Sequence, residues 1–206
     1  LTETSPLLTM NPLGRAKPGT VGVALAGTDI RIVDAETGRE AMPVDEPGEL
    51  IAHGPQVFGG YLGLPEESAK ALREYDGKTF FYTGDIARVD ADGYFTICDR
   101  SKDMLIVGGF KVFSVEVENA LKAVPEIELA AVIGSPDEER AGNDKVNLYV
   151  QLSETGQAQP VAEVKEKILA YCRKHLAAYK VPKVIHIVAE IPLTPVGKID
   201  KKALRH

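Results

Sequence analysis

The residues whose types and spacing suit chemistry fall at a few points along the chain. Lys198 follows Pro195-Val196-Gly197. Pro and Gly at those spacings fix the backbone, so the side chain after them is presented in a defined direction. A surface turn carrying a solvated lysine is the plain alternative. At mid-chain, Asp99-Arg100-Ser101-Lys102-Asp103 forms a dense charge cluster where the composition changes, which an ordinary solvated linker would also explain. Asp85 ends the tetrapeptide "YTGD" and reads from its neighbours as a strand-end turn residue. Gly108-Gly109 either lets a ligand approach the backbone closely or marks a bend or bulge.

Positioning such residues takes a folded scaffold, and the composition supplies one. The 206 residues are 44% hydrophobic, enough for one ordinary domain or two small ones. A net charge of -6 with no long Lys/Arg run argues against nucleic acid, while leaving room for a small basic pocket. Cys98 and Cys172 are far apart and belong to no CxxC pair, so both read as reduced thiols. No apolar run approaches the roughly 18 residues that span a bilayer, and a basic-then-apolar leader is not seen. The chain reads as cytoplasmic. It begins at Leu1 and reads as part of something larger.

Turn chemistry divides the first half into short β-type runs, "TVGVAL", "TDIRIVD", "GELIAHG", "FFYTGDIARVD" and "GYFTICD", with turns at Glu36-Thr37-Gly38 and Asp92-Gly93. A small antiparallel sheet or distorted barrel is predicted. One helix interrupts it in "LPEESAKALREYDG", with Pro65 in the first turn and Gly77 after its end. From Ser114 the period changes. Val117, Ala120, Leu121 and Val124 make a helical stripe that Ser114 would cap. "ELAAVIG" reads as a buried strand and "KVNLYVQLS" as a strand with one face covered. A helix beginning at Pro160, with Val161, Val164, Ile168, Tyr171 and Cys172 facing inward, leads to a last strand in "VPKVIHIVAEI". The fold class is α+β: a β-rich, incomplete piece of a larger domain over 1–99, then a small α+β carboxyl-terminal domain over 100–206.

Five stretches occur in one order: "TETSP" at Thr2, "GELIAHGPQVFGGYL" at Gly48, "YTGD" at Tyr82, "DRSKDMLIVGGFKV" at Asp99 and "PVGKID" at Pro195. Together they resemble the carboxyl-terminal portion of the adenylate-forming enzymes, the superfamily of acyl-CoA synthetases, nonribosomal-peptide adenylation domains and luciferases. "KPGTVGVAL" and "AYKVPKVI" add a likeness to long-chain fatty acid–CoA ligases. The resemblance implies a two-step reaction in which fatty acid and ATP give acyl-adenylate and pyrophosphate, and coenzyme A then displaces AMP. It implies that a small mobile domain rotates about a hinge at 99–103 between the steps.

The same resemblance implies a role for each residue. Thr2 would meet a phosphate and Glu3 would help hold Mg²⁺. Asp85 would accept hydrogen bonds from both ribose hydroxyls of ATP or AMP, with Arg100 also reaching the ribose. Lys102 would be the hinge residue; the fatty-acyl branch resembles this sequence in having lysine there. Gly108 and Gly109 would flank the pantetheine arm of coenzyme A. Lys198 would be the catalytic lysine of adenylation. No Ser/Thr/Gly-rich phosphate loop ending in lysine occurs, so these 206 residues are expected to be inactive alone. The expected partners are fatty acid, ATP and coenzyme A, with no nucleic acid, a homodimer as one assembly, and a location in the cytoplasm or peripheral at a membrane. Three other readings remain: a related enzyme acting on another carboxylate or using a carrier-protein acceptor, a stand-alone module that binds a nucleotide or a partner, and a structural or dimerising fragment.

Overall fold

A computed structural model describes residues Leu1–Arg205. The chain divides into two compact units, with the division between Lys102 and Asp103.

In the first unit, a 3-10 turn at Thr2–Thr4 precedes β1 (Thr9–Met10), which pairs antiparallel with β2 (Val23–Ala24). The main sheet contains β3 (Asp29–Val33), β4 (Gly48–His53), β5 (Leu72–Tyr75), β6 (Lys78–Val89) and β7 (Phe95–Arg100), with helix α1 (Pro65–Ala71) between β4 and β5. All pairings in it are antiparallel, and β4 lies between β3 and β6. The other edge of β6 is shared, β5 on its first third and β7 on its second half. Both sheet faces are covered, which explains why the first five residues of β4 are all buried. Leu50 and Ala52 join one apolar cluster with Leu8, Ile32, Ala87 and Phe95, while Ile51 joins Val33, Phe80 and Tyr82 in another.

Here the helix expected to run as far as Gly77 stops at Ala71. Its last predicted residues form β5 instead, and Asp76 (φ 51°) and Gly77 (φ 71°) make the two-residue turn into β6. Asp-Gly suits a turn with two positive φ angles. Helix α1 buries none of its residues, so no packing favours extending it, whereas β5 completes hydrogen bonds along the edge of β6.

The second unit starts with the hairpin of β8 (Leu105–Val107) and β9 (Phe110–Val112). It continues through α2 (Ser114–Leu121), β10 (Ile127–Pro136), β11 (Asp144–Leu152), a single turn α3 (Glu154–Gln157), α4 (Val161–His175) and β12 (Val184–Val188). The sheet order is β10-β11-β12, with β11 antiparallel to β10 and parallel to β12. Val146, Leu148, Val150 and Leu152 of β11 are buried in alternation and meet Val117 and Leu121 of α2 and Val164, Ile168 and Cys172 of α4. Burying a side chain of this kind contributes about 1.5–3 kcal/mol. Two expectations are corrected. Val161 is exposed, because the inner stripe of α4 begins at Val164. Ser114 does not cap α2 with its side chain: its Oγ accepts a hydrogen bond from Lys201 Nζ instead.

Both cysteines are thiols, and burial pushes that of Cys172 up to about 11. Among the described residues, no helix is long and apolar enough to cross a membrane.

Candidate nucleotide and acyl-transfer site

The tetrapeptide "YTGD" lies within β6, where it breaks the sheet's regularity. Glu49 pairs with Ile86 and Ile51 with Tyr82, so Leu50 of β4 faces three residues of β6: Thr83, Gly84 and Asp85. Gly84, at φ 69°, supplies the left-handed conformation that lets the strand bulge. The bulge is stitched at each residue. Thr83 Oγ1 donates to the Leu50 carbonyl at 2.8 Å and accepts from the Asp85 N–H at 3.1 Å, while the Gly84 N–H donates to Glu49 Oε1 at 3.0 Å.

Beyond the bulge, register places Arg100 of β7 directly across from Asp85. Arg100 Nε lies 2.9 Å from Asp85 Oδ1, and its Nη1 donates to the Thr83 carbonyl at 3.2 Å. Two residues 15 positions apart in sequence therefore form one charged pair. Asp85 also lines an open cavity of about 500 Å³ whose walls include Leu7, Leu8, Met10, Val21 and Ile97. An apolar cleft with a single carboxylate at its wall can take a flat apolar group and fix it through hydroxyls.

Thr2 and Glu3 sit in the opening 3-10 turn. Thr2 is exposed. Glu3 is held twice: its carbonyl accepts from the Phe58 N–H at 2.9 Å, and its Oε1 accepts from the Tyr61 hydroxyl at 3.1 Å. Burial, followed by the neighbouring Glu3, raises the pKa of Tyr61, so the phenol stays a donor at neutral pH.

In the second unit, Thr194 to Lys198 form a hairpin with a three-residue loop. Gly197 N–H donates to the Thr194 carbonyl at 2.9 Å, Thr194 N–H to the Lys198 carbonyl at 2.7 Å, and Lys198 N–H to Thr194 Oγ1 at 3.1 Å. Gly197, at φ 77°, takes the left-handed position such loops require. Lys198 is exposed at the loop's end, and among the described residues no partner holds its ammonium group. Gly108 (φ 61°) and Gly109 (φ 82°) form the two-residue turn between β8 and β9, with open space where a Cβ would project. The Gly108 N–H donates to Asn143 Oδ1 at 2.6 Å. Lys102 is exposed in the 3-10 turn Ser101–Asp103, at the end of the first unit.

Sequence reasoning brought out Asp85, Arg100 and Glu3 but missed Glu49, which holds the Gly84 N–H beside Asp85, and Tyr61, whose hydroxyl holds the Glu3 carboxylate. Glu49 is only 9% exposed, and burial keeps its carboxyl above the usual carboxylate range despite the Gly84 N–H and Arg73, with the charge of Asp85 adding to the rise. The available signal was a charged residue inside the otherwise apolar "ELIA". Among the described residues there is no cluster of three His, Cys, Asp or Glu side chains able to hold a metal.

The chain is similar to known proteins along its length. Residues 1–62 match the family described as AMP-binding enzyme, and residues 116–198 match AMP-binding enzyme C-terminal domain. A long-chain-fatty-acid–CoA ligase of Bacillus subtilis (strain 168) is 40% identical over 99% of this chain and 34% of its own length. The crystal structure of ATP-bound MatB from Rhodopseudomonas palustris superposes with a TM-score of 0.84 at 33% identity, over 98% of this chain and 38% of that one. The anthranilate CoA ligase AuaEII, solved in complex with anthranoyl-AMP, gives a TM-score of 0.84 at 33% identity, over all of this chain and 38% of the other. The chain thus spans about a third of the length of the proteins it matches. It belongs to the AMP-binding, adenylate-forming enzymes, of which it carries the C-terminal domain and part of the AMP-binding domain.

Proposed function

We propose that the enzyme carrying this chain is an AMP-forming ligase that joins a long-chain fatty acid to coenzyme A. The observation that carries the reading is the meeting of Asp85 and Arg100 across β6 and β7 at the wall of an apolar cavity. In the first step a carboxylate oxygen of the acid attacks the α-phosphorus of ATP and pyrophosphate leaves. In the second, the sulfur of coenzyme A attacks the acyl carbon, AMP leaves and the thiol proton passes to water.

Asp85 accepts from the two ribose hydroxyls, with Arg100 fixing its carboxylate and reaching the same sugar. Thr2 meets a phosphate oxygen. Glu3 would hold Mg²⁺ together with phosphate oxygens and water, which fits because Mg²⁺ is ordinarily bound by one or two protein carboxylates; the ion's chemistry there is neutralisation of phosphate charge. Lys198 brings its ammonium to the carboxylate and α-phosphate as negative charge concentrates, an effect on the order of 10²–10³ in rate. Gly108 and Gly109 flank the pantetheine arm, since a turn without Cβ atoms lets a narrow chain pass. Lys102 is the hinge, where a few dihedrals absorb the change between steps.

The 40% identity to a fatty-acid ligase supports the long-chain substrate. Similarity to an anthranilate CoA ligase favours an aryl acid as the second reading. An acid-chain profile of the full-length enzyme separates them. The rest of the enzyme is needed for either step, because the chain spans only about a third of its relatives. The reaction belongs in the cytoplasm or, for an apolar acid, at a membrane surface.

The test is Lys198→Ala in the full-length enzyme, assayed for pyrophosphate exchange into ATP and for coenzyme A transfer from supplied acyl-adenylate. Exchange should fall by about 10²–10³-fold while transfer survives. If exchange survives as well, Lys198 has no part in adenylation and the reading fails.

A further inference from the structure

The loop that bears Lys198 is held only at its base. Pro195, Val196, Gly197 and Lys198 are all exposed, with Val196 at 79%. The hairpin's own bonds join Thr194 to Lys198, and a bridge joins Leu193 to Ile199. Such a segment frays unless something ties it to the fold.

Three residues beyond Lys198, the chain makes that tie. Lys201 turns inward, its side chain only 13% exposed, and its Nζ lies 2.8 Å from Glu118 Oε1 and 2.5 Å from Ser114 Oγ. Ser114 is fully buried, and Glu118 is 14% exposed at its side chain. Glu118 Oε1 also accepts from the Val132 N–H of β10 at 2.8 Å. One ammonium thus joins the C-terminal segment to the helix α2 and, through the shared carboxylate, to the sheet. The Asp200 N–H donates to the Pro192 carbonyl at 2.8 Å, and Arg205 pairs with the buried Asp103, so the segment is pinned on both sides of Lys201. A part-buried ion pair with a third hydrogen-bonding partner has a defined geometry, unlike a surface pair, which is loose and screened.

We propose that Lys201 is a positioning residue for Lys198: its contacts with Glu118 and Ser114 set where the loop stands and thereby where the Lys198 ammonium is delivered. The proposal rests on the reading of Lys198 as the adenylation lysine. A displacement of about 1 Å at a reacting centre costs on the order of 10²-fold in rate. The thioester step makes no use of Lys198 and should not sense the clamp.

In the full-length enzyme, Lys201→Met should slow pyrophosphate exchange by about 10²-fold, with the KM for ATP and the coenzyme A transfer from supplied acyl-adenylate unchanged. Lys201→Arg, which keeps a cation for Glu118, should recover most of the loss. Exchange within twofold of wild type for Lys201→Met would overturn the proposal, and so would equal loss of both half-reactions alongside a lowered melting temperature, the mark of a merely structural role. If Lys201→Met does not fold, Glu118→Gln keeps an acceptor for the Val132 N–H while weakening the clamp, and should show the same split in milder form; equal effects on both steps again overturn it. Lys198→Ala, measured beside them, distinguishes the two failures. Collapse of exchange in that variant with Lys201→Met unaffected removes only the clamp, whereas full exchange without Lys198 removes both readings.

Discussion

The two units solve the problem of placing a charge in opposite ways. In the first, Asp85 is set by a bulge with a hydrogen bond at each of its three residues and paired at once with Arg100, so the carboxylate has one orientation before any ligand arrives. In the second, Lys198 stands exposed at the end of a hairpin loop, its direction fixed by backbone but its ammonium unclaimed among the described residues. A group that binds the same part of the substrate throughout gains from being fixed. A group needed in one step and absent from the next gains from being carried on a short rigid arm without a standing partner of its own.

That contrast can be broken most forcefully at Asp85. If Asp85 holds the ribose as proposed, removing an acceptor of two charge-assisted hydrogen bonds, each worth about 1.5–3 kcal/mol, should raise the KM for ATP by about 10²–10⁴-fold in Asp85→Ala, with kcat changed much less. Loss of Lys198 should do the reverse. A variant at Asp85 that lowers kcat with KM intact would erase the distinction between the two kinds of site.

A pair of glycines sharpens it further. Gly84 (φ 69°) and Gly197 (φ 77°) are both left-handed, and neither has an atom closer than 4.0 Å to where a Cβ would project, so alanine there meets backbone strain rather than a clash. The strain is about 1–2 kcal/mol in each case. Gly84→Ala loads it onto a buried sheet and should lower the melting temperature by several degrees. Gly197→Ala loads it onto an exposed loop, so the melting temperature should hold while pyrophosphate exchange slows. Equal shifts in melting temperature would show that the loop is as much part of the cooperative fold as β6 is.

The smallest effect is expected at Glu49. Burial raises its folded pKa above the unfolded value, so its contribution to stability is complete below the ordinary carboxylate range and is lost as pH rises through the folded value. Glu49→Gln keeps an oxygen for the Gly84 N–H and carries no charge. Its melting temperature relative to wild type should therefore improve as pH rises above the ordinary carboxylate range; a difference that stays flat or shrinks as pH rises would mean the carboxylate is well paired after all.

Much of this scaffold was legible in the sequence because period and punctuation agreed. The alternation in "VNLYVQL" became a strand buried at every second residue, and Pro160 marked the start of α4. Where local signals competed, the stronger tertiary partner won: "LREY" has ordinary helix formers, but an open edge of β6 and an Asp-Gly turn made it a strand. Ser114 offered a capping hydroxyl that a distant lysine took. The candidate site was legible as separate residues and not as a geometry. That Asp85 faces Arg100 depends on a register shift across β6 and β7, and the role of Glu49 depends on a bulge in a neighbouring strand, neither of which a linear pattern encodes.

The chain's two cysteines have one further consequence. Cys172 is buried in the second unit's core, its thiol pushed up to about 11, and so is shielded from alkylating reagents. Cys98 is only partly buried and lies on β7 two residues before Arg100, where the register with β6 slips. Of this chain's two thiols, Cys98 is therefore the more accessible to a thiol-directed reagent, and a label there would sit in sequence next to the Asp85–Arg100 pair.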